Sequence, residues 1–130
     1  MRIFRNNPFT RFAKKAALDD AALSRAVDDA ERGLIDARLG GGVIKQRVAR
    51  RGEGKSGGFR TIILYKVHAL AFFVHGFAKK DQDNIERREL TAFKLLASQM
   101  LAYDDDQIAR AVASGTLIEV VRGEEDKAIS

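Results

Sequence analysis

Between residues 43 and 80 the chain carries nine basic side chains (Lys45, Arg47, Arg50, Arg51, Lys55, Arg60, Lys66, Lys79 and Lys80) against one acid, Glu53. The whole chain has a formal charge of +5, and residues 81–130 hold eleven acids against six bases. The excess is therefore one central block rather than a general bias of the surface. A block of this kind suits a polyanionic partner, nucleic acid first. Lys45 and Arg47 are two residues apart in VIKQRVA, which reads as a strand, so both leave the same face. Arg60 opens the next strand-like run, and Lys79 and Lys80 follow the one after. If these three strands pair as a meander, the cations gather at one end or face of the sheet. Lysine and arginine neutralise phosphate, and arginine can bind it bidentately. The plainer reading is a set of ordinary solvated strand residues.

Other residues of chemical interest have simpler explanations. Ala49–Ser56, ARRGEGKS, would pass a relaxed phosphate-loop pattern, but the strict pattern needs Gly where Ala49 stands. Such a loop also opens a helix, whereas Phe59–Val67 is strand-like. The glycines instead let a basic loop turn or bend around a partner. His75 lies in LAFFVHGF, in register with Phe73 and Phe77 if no bulge intervenes. It reads as a sheet-face histidine with one hydrogen bond before it reads as a general base. His68 falls in a turn. Asp81 and Asp83 could move protons, although Asp83 is better placed as a helix cap. Consecutive carboxylates at Asp104, Asp105 and Asp106 suit a helix N-terminus rather than a metal. Phe59 or Phe77, beside the cations, could stack on a base, but both read first as core.

The elements that must position these groups come from hydrophobic periodicity. With 130 residues, 45% of them hydrophobic, the chain is long enough for one domain. Met1–Arg5 reads as a short strand. Asn7 caps and Pro8 opens a helix with Phe9, Phe12, Ala13 and Ala16 on one face. Asp19 or Asp20 caps a second helix, ending near Gly33. Gly40–Gly42 breaks the chain, and strands are expected at Val43–Ala49, Phe59–Val67, Leu70–Phe77 and Leu117–Val121. A capping box at Asp83–Glu86 precedes a long helix, and Asp104 with Gln107 starts a short one. The result is an α+β fold, with helices packed on one face of a small antiparallel sheet. One domain is expected over 1–122, with a core at 2–101, a helix–strand extension at 102–122 and a polar tail at 123–130. There is no cysteine, so thiolate chemistry and disulfides are excluded. Two histidines make a His-rich metal site unexpected. With no secretory h-region and no long apolar run, a cytoplasmic protein is expected.

The stretch from Gly40 to Ile85, GGGVIKQRVARRGEGKSGGFRTIILYKVHALAFFVHGFAKKDQDNI, resembles the RelE/HigB-like toxins of bacterial type II toxin–antitoxin systems. The likeness is carried by GGG before VIKQRVA, by GKSGGFR leading into a strand, and by FVHGFAKKDQDNI leading into the long helix. It extends over most of residues 2–101.

The resemblance implies two N-terminal helices on a small antiparallel sheet, followed by C-terminal helices. It also implies an endoribonuclease that cuts mRNA in the ribosomal decoding site by activating the 2′-hydroxyl, with neither metal nor cofactor. By that likeness Lys45, Arg47, Arg60 and Lys79 form the catalytic set. Lys45 or Arg47 assists proton removal, and Arg60 and Lys79 stabilise the phosphorane. Arg50, Arg51, Lys55 and Lys80 hold the RNA backbone. Several relatives have a tyrosine after the third strand of this stretch. This chain has Ile85 near there, leaving His75, Asp81 or a second lysine for proton transfer. The implied partners are mRNA, the ribosome and an antitoxin with a helix-turn-helix DNA-binding domain. Competing readings are a ParE-like gyrase inhibitor, a non-catalytic RNA-binding protein and a degenerate toxin.

Overall fold

The computed structural model describes residues 1–49, 58–82 and 84–121. Strand β1 (Arg2–Asn6) runs directly into helix α1 (Asn7–Ala16). The cap is Asn6, one residue earlier than expected. Its side chain accepts from the Phe9 N–H, and Pro8 occupies the first turn, where no N–H is needed. Asp19 caps α2 (Asp20–Glu31) by accepting from Ala22 N–H.

After α2 come β2 (Ala37–Gly40), β3 (Val43–Val48), β4 (Phe59–Lys66) and β5 (Leu70–Phe77). The chain closes with α3 (Arg87–Met100), α4 (Asp105–Ala113) and β6 (Leu117–Glu119). Strand β2 was not expected. It is a short edge strand, joined to β3 through Gly40, Gly41 and Gly42, all with positive φ. At Gly42 a Cβ would also lie 2.6 Å from Leu101 Cδ1, so a side chain there would displace that methyl as well as strain the backbone.

The fold is α+β, with strand order β2-β3-β4-β5-β1-β6. It departs from the expected antiparallel sheet in one pairing: β1 lies parallel to β5 and antiparallel to β6. It departs also in layering, since helices cover both faces. One core holds Ile3, Phe9, Leu23, Val27, Ile63 and Phe73 between the sheet and α1 and α2. The other holds Phe4, Ile62, Leu64, Phe72, Met100 and Ile108 beneath α3 and α4. Central strands apolar on both sides are what such a three-layer arrangement requires.

Polar groups tie the layers together. Gln46, 3% exposed, faces α2 from the middle of β3. Its amide donates to Ala26 O at 3.0 Å and Leu34 O at 2.9 Å, and its oxygen accepts from Asp36 N–H at 3.0 Å. At the opposite end of the sheet the Glu31 carboxylate accepts from the Tyr65 hydroxyl and from His68 N–H at 3.1 Å. Partial burial would raise the Glu31 carboxyl, but these bonds outweigh it and hold it below the usual carboxylate range. Burial and that same carboxylate push the Tyr65 hydroxyl up. The C-terminal strand covers the β1 edge. Arg2 grips Glu119 with two 2.9 Å bonds, and Val121 N–H donates to Asp20.

Replacing Gln46 by Leu strips partners from three backbone groups at once. We expect Gln46→Leu to lower stability by about 2–4 kcal/mol in urea unfolding, although leucine is the more apolar residue.

Candidate functional site

The three central strands place the cations in register. Lys45 stands opposite Ile62, which stands opposite His75; in the next row Arg47 faces Arg60, which faces Phe77. Side chains alternate along each strand, and Val43, Ile62 and Leu64 enter the core under α3. Lys45, Arg47 and Arg60 therefore share that face, while Gln46 and Thr61 turn the other way. Paired strands lie about 4.8 Å apart, so Arg47 and Arg60 are direct neighbours and Lys45 is diagonal to Arg60.

The three cations differ in surroundings. Lys45 and Arg60 are half-buried and have no ion-pair partner among the described residues. Arg47 is more exposed, and its Nε lies 3.3 Å from Asp36 Oδ1. Asp36 immediately precedes β2, so with that strand unrecognised nothing in the sequence marked it as a partner. Its backbone is held by Gln46, and its carboxylate offsets part of the Arg47 charge.

A β-bulge lies in β5. Ile62 pairs with His75 but Ile63 pairs with Phe73, leaving Val74 as the extra residue. His75 is consequently not in register with Phe73. Phe73 packs on Phe9 under α1, at 5.0 Å between ring centroids. His75 turns to the opposite face, 5.6 Å from Phe93 of α3 and 5.7 Å from Phe77. Bulges commonly re-aim a side chain in this way. His75 Nε2 approaches Gln82 Oε1 at 3.4 Å and Glu89 Oε2 at 3.9 Å. Glu89 also accepts from Glu86 N–H at 2.8 Å, which makes Glu86 the cap of α3. The expected cap, Asp83, lies outside the described residues.

Lys79 and Lys80 are exposed in the turn after β5, where Asp81 N–H and Gln82 N–H both donate to Ala78 O. They flank the cation rows rather than standing in them. Arg50, Arg51 and Lys55 lie outside the described residues. Phe59 is on the far face, edge-on to Phe12 at 5.5 Å, and Phe77, on the cation face, is 4% exposed. Phe77 thus forms part of an apolar floor beside the cations. Asp104 caps α4, accepting from Gln107 N–H at 2.8 Å. His68 sits in the β4–β5 turn, its Nδ1 3.1 Å from Glu31. Ile85 packs against the core under α3.

A family model described as the RelE toxin of the RelE/RelB toxin–antitoxin system matches residues 1–120. The chain belongs to the RelE toxin family. As a RelE-type toxin it is the toxin half of a toxin–antitoxin pair. The match runs through α4 and β6, beyond the part of the chain where the motifs alone carried the likeness. No curated protein sequence matches this toxin. Among its described residues no helix is long and apolar enough to cross a membrane.

Gly76 supports the site from behind. It lies between His75 and Phe77, and a Cβ there would fall 2.3 Å from the Phe12 ring. Phe12 is itself packed among Phe9 and Phe59, so it cannot simply swing aside. Gly76→Ala should destabilise the toxin by about 1–3 kcal/mol. Thermal unfolding monitored by circular dichroism measures that loss.

Proposed function

We propose that this toxin is an mRNA endoribonuclease that acts on the ribosome and blocks translation. In this reading the 2′-oxygen of the RNA attacks the adjacent phosphorus while the bond from phosphorus to the 5′-oxygen breaks. The products are a 2′,3′-cyclic phosphate and a free 5′-hydroxyl. Lys45 assists removal of the 2′ proton, with Arg47 beside it. Arg60 and Lys79 stabilise the added charge on the phosphorane, and Lys79, as an ammonium, can supply the proton to the leaving oxygen. Arg50, Arg51, Lys55 and Lys80 hold the RNA backbone. These cations meet the charge of the transition state themselves, so the scheme calls for no metal. The silencing partner is an antitoxin carrying a helix-turn-helix DNA-binding domain.

The observation that carries this reading is the pair Lys45 and Arg60. Both stand on one face of a rigid sheet, over the apolar floor of Ile62 and Phe77, and neither has an ion-pair partner among the described residues. A cation half-withdrawn from water acts more strongly on a phosphate than one in bulk solvent. His75 is on the same face, but its ring lies between Phe77 and Phe93 and its Nε2 is turned toward Gln82 and Glu89. That arrangement favours a role in holding α3 against the sheet.

RNA ends mapped after brief induction in bacteria test the proposal, comparing wild type with a Lys45→Ala/Arg47→Ala/Arg60→Ala variant. New cuts inside translated reading frames are expected in wild type and absent from the variant. Arg60→Ala alone should slow cutting by about 100-fold or more. Growth arrest without RNA cuts would refute the nuclease and favour a ParE-like gyrase inhibitor.

A further inference from the structure

The cation face does not end at the sheet rim. Helix α1 runs along β5 on the opposite face. Phe9 packs on Phe73, and one turn later Phe12 covers Gly76 and meets Phe59. The C-terminal half of α1 therefore reaches the rim where β3 ends, β4 begins and β5 ends. Lys79 and Lys80 leave the sheet at that rim. Ala16 of α1 and Ala78, just before these lysines, both pack against the same core.

Three cations of α1 face outward there: Arg11, Lys14 and Lys15. They are exposed, and among the described residues none of their side chains has an ion-pair or hydrogen-bond partner. Helix α1 contains no acid. The contrast with nearby arginines is direct, since Arg2, Arg5 and Arg32 are each paired with a carboxylate. Positions three and four apart on a helix are neighbours, about 5–6 Å between Cβ atoms, and like charges so placed repel. The helix C-terminus compensates Lys14 and Lys15 in the last turn. Arg11, a turn earlier, gains nothing from it. A crowded set of cations, compensated only in part, suits at this spacing successive phosphates of one strand.

We propose that Arg11, Lys14 and Lys15 form a second phosphate-binding surface. It holds RNA that has left the Lys45/Arg47/Arg60 face and crossed the rim past Lys79 and Lys80. The inference rests on the reading of the toxin as an RNA-directed enzyme. Continuity with the cation face favours RNA over an acidic peptide as the occupant. The surface contributes affinity without sequence preference and takes no part in bond breaking.

The test is RNA binding by the full-length toxin as a function of salt. The probe is a single-stranded 2′-O-methyl RNA of about 20 nucleotides, which spans both surfaces and lacks the free 2′-hydroxyl that cleavage requires. For Arg11→Ala/Lys14→Ala/Lys15→Ala we expect the slope of log affinity against log salt to become shallower by about 2, each lost phosphate contact removing about 0.7. Arg11→Gln/Lys15→Gln, which retains much of the side-chain bulk, should show about two-thirds of that change. The charge-matched control Arg38→Ala/Lys66→Ala/Lys94→Ala, at the opposite end of the sheet, should leave the slope as in wild type. An unchanged slope in the α1 variants overturns the proposal, as does an equal change in the control. A variant that binds RNA like wild type but has lost binding to an acidic peptide assigns the surface to a protein partner, and also overturns it. Wild-type toxin that fails to bind the probe overturns this proposal too, whereas the reading of the toxin as a nuclease on the ribosome falls only if induction yields no RNA cuts.

Discussion

Everything proposed for the cation face depends on one buried amide. Gln46 is enclosed between β3 and α2, and both ends of its side chain are matched by backbone groups of α2 and the segment leading into β2. A strand has a side-chain period of two, so a one-residue slip would turn its whole set of side chains over. With Gln46 pinned inward, Lys45 and Arg47 must point to the other face. The slipped alternative would drive two cations into the core under α2, where desolvation without a partner is prohibitive. A polar residue thus specifies register here more sharply than an apolar one could. An apolar side chain would tolerate several positions, but the Gln46 amide is satisfied in only one.

That register propagates outward. The β3–β4 pairing sets Arg60 beside Arg47, and the bulge at Val74 brings His75 and Phe77 to the same side. On the other side of the sheet Gly76 leaves room for Phe12, which lets α1 lie close. Lys45, Arg47 and Arg60 are therefore held on paired strands with a helix layer behind them, while Lys79 stands in the turn after β5. A rigid support of this kind suits a reaction whose catalysis consists mainly of holding fixed charge against a transition state. The Arg47–Asp36 contact moderates the like-charge repulsion between Arg47 and Arg60.

Much of this was legible in the chain. The strands from Val43 onward, the shared face of Lys45 and Arg47, and the caps at Asp19 and Asp104 all follow from periodicity and short-range chemistry. Strand β2 escaped because ARLG has little β-branched or aromatic character and lies at an exposed edge. Asp36 escaped with it. The two-sided covering of the sheet did leave a signal: IIL and LAFFV are continuous apolar runs, as strands buried on both faces require. The bulge at Val74 left none, because it depends on which strand pairs with which and on the rings of Phe77 and Phe93. The parallel pairing of β1 with β5 is likewise a long-range choice that no local pattern encodes. The arginine and lysines of α1 were plain in the sequence, yet only the position of Phe12 shows that they approach the rim of the cation face.

The most direct test of the central claim is cleavage on ribosomes programmed with an mRNA carrying a single 2′-deoxynucleotide in the decoding site, moved one position at a time. The account predicts that one position abolishes the cut, and that the all-ribose message yields a 2′,3′-cyclic phosphate at that nucleotide. A message cut equally well at every deoxy position would contradict it, because the cations of this face would then not be assisting attack by the 2′-oxygen.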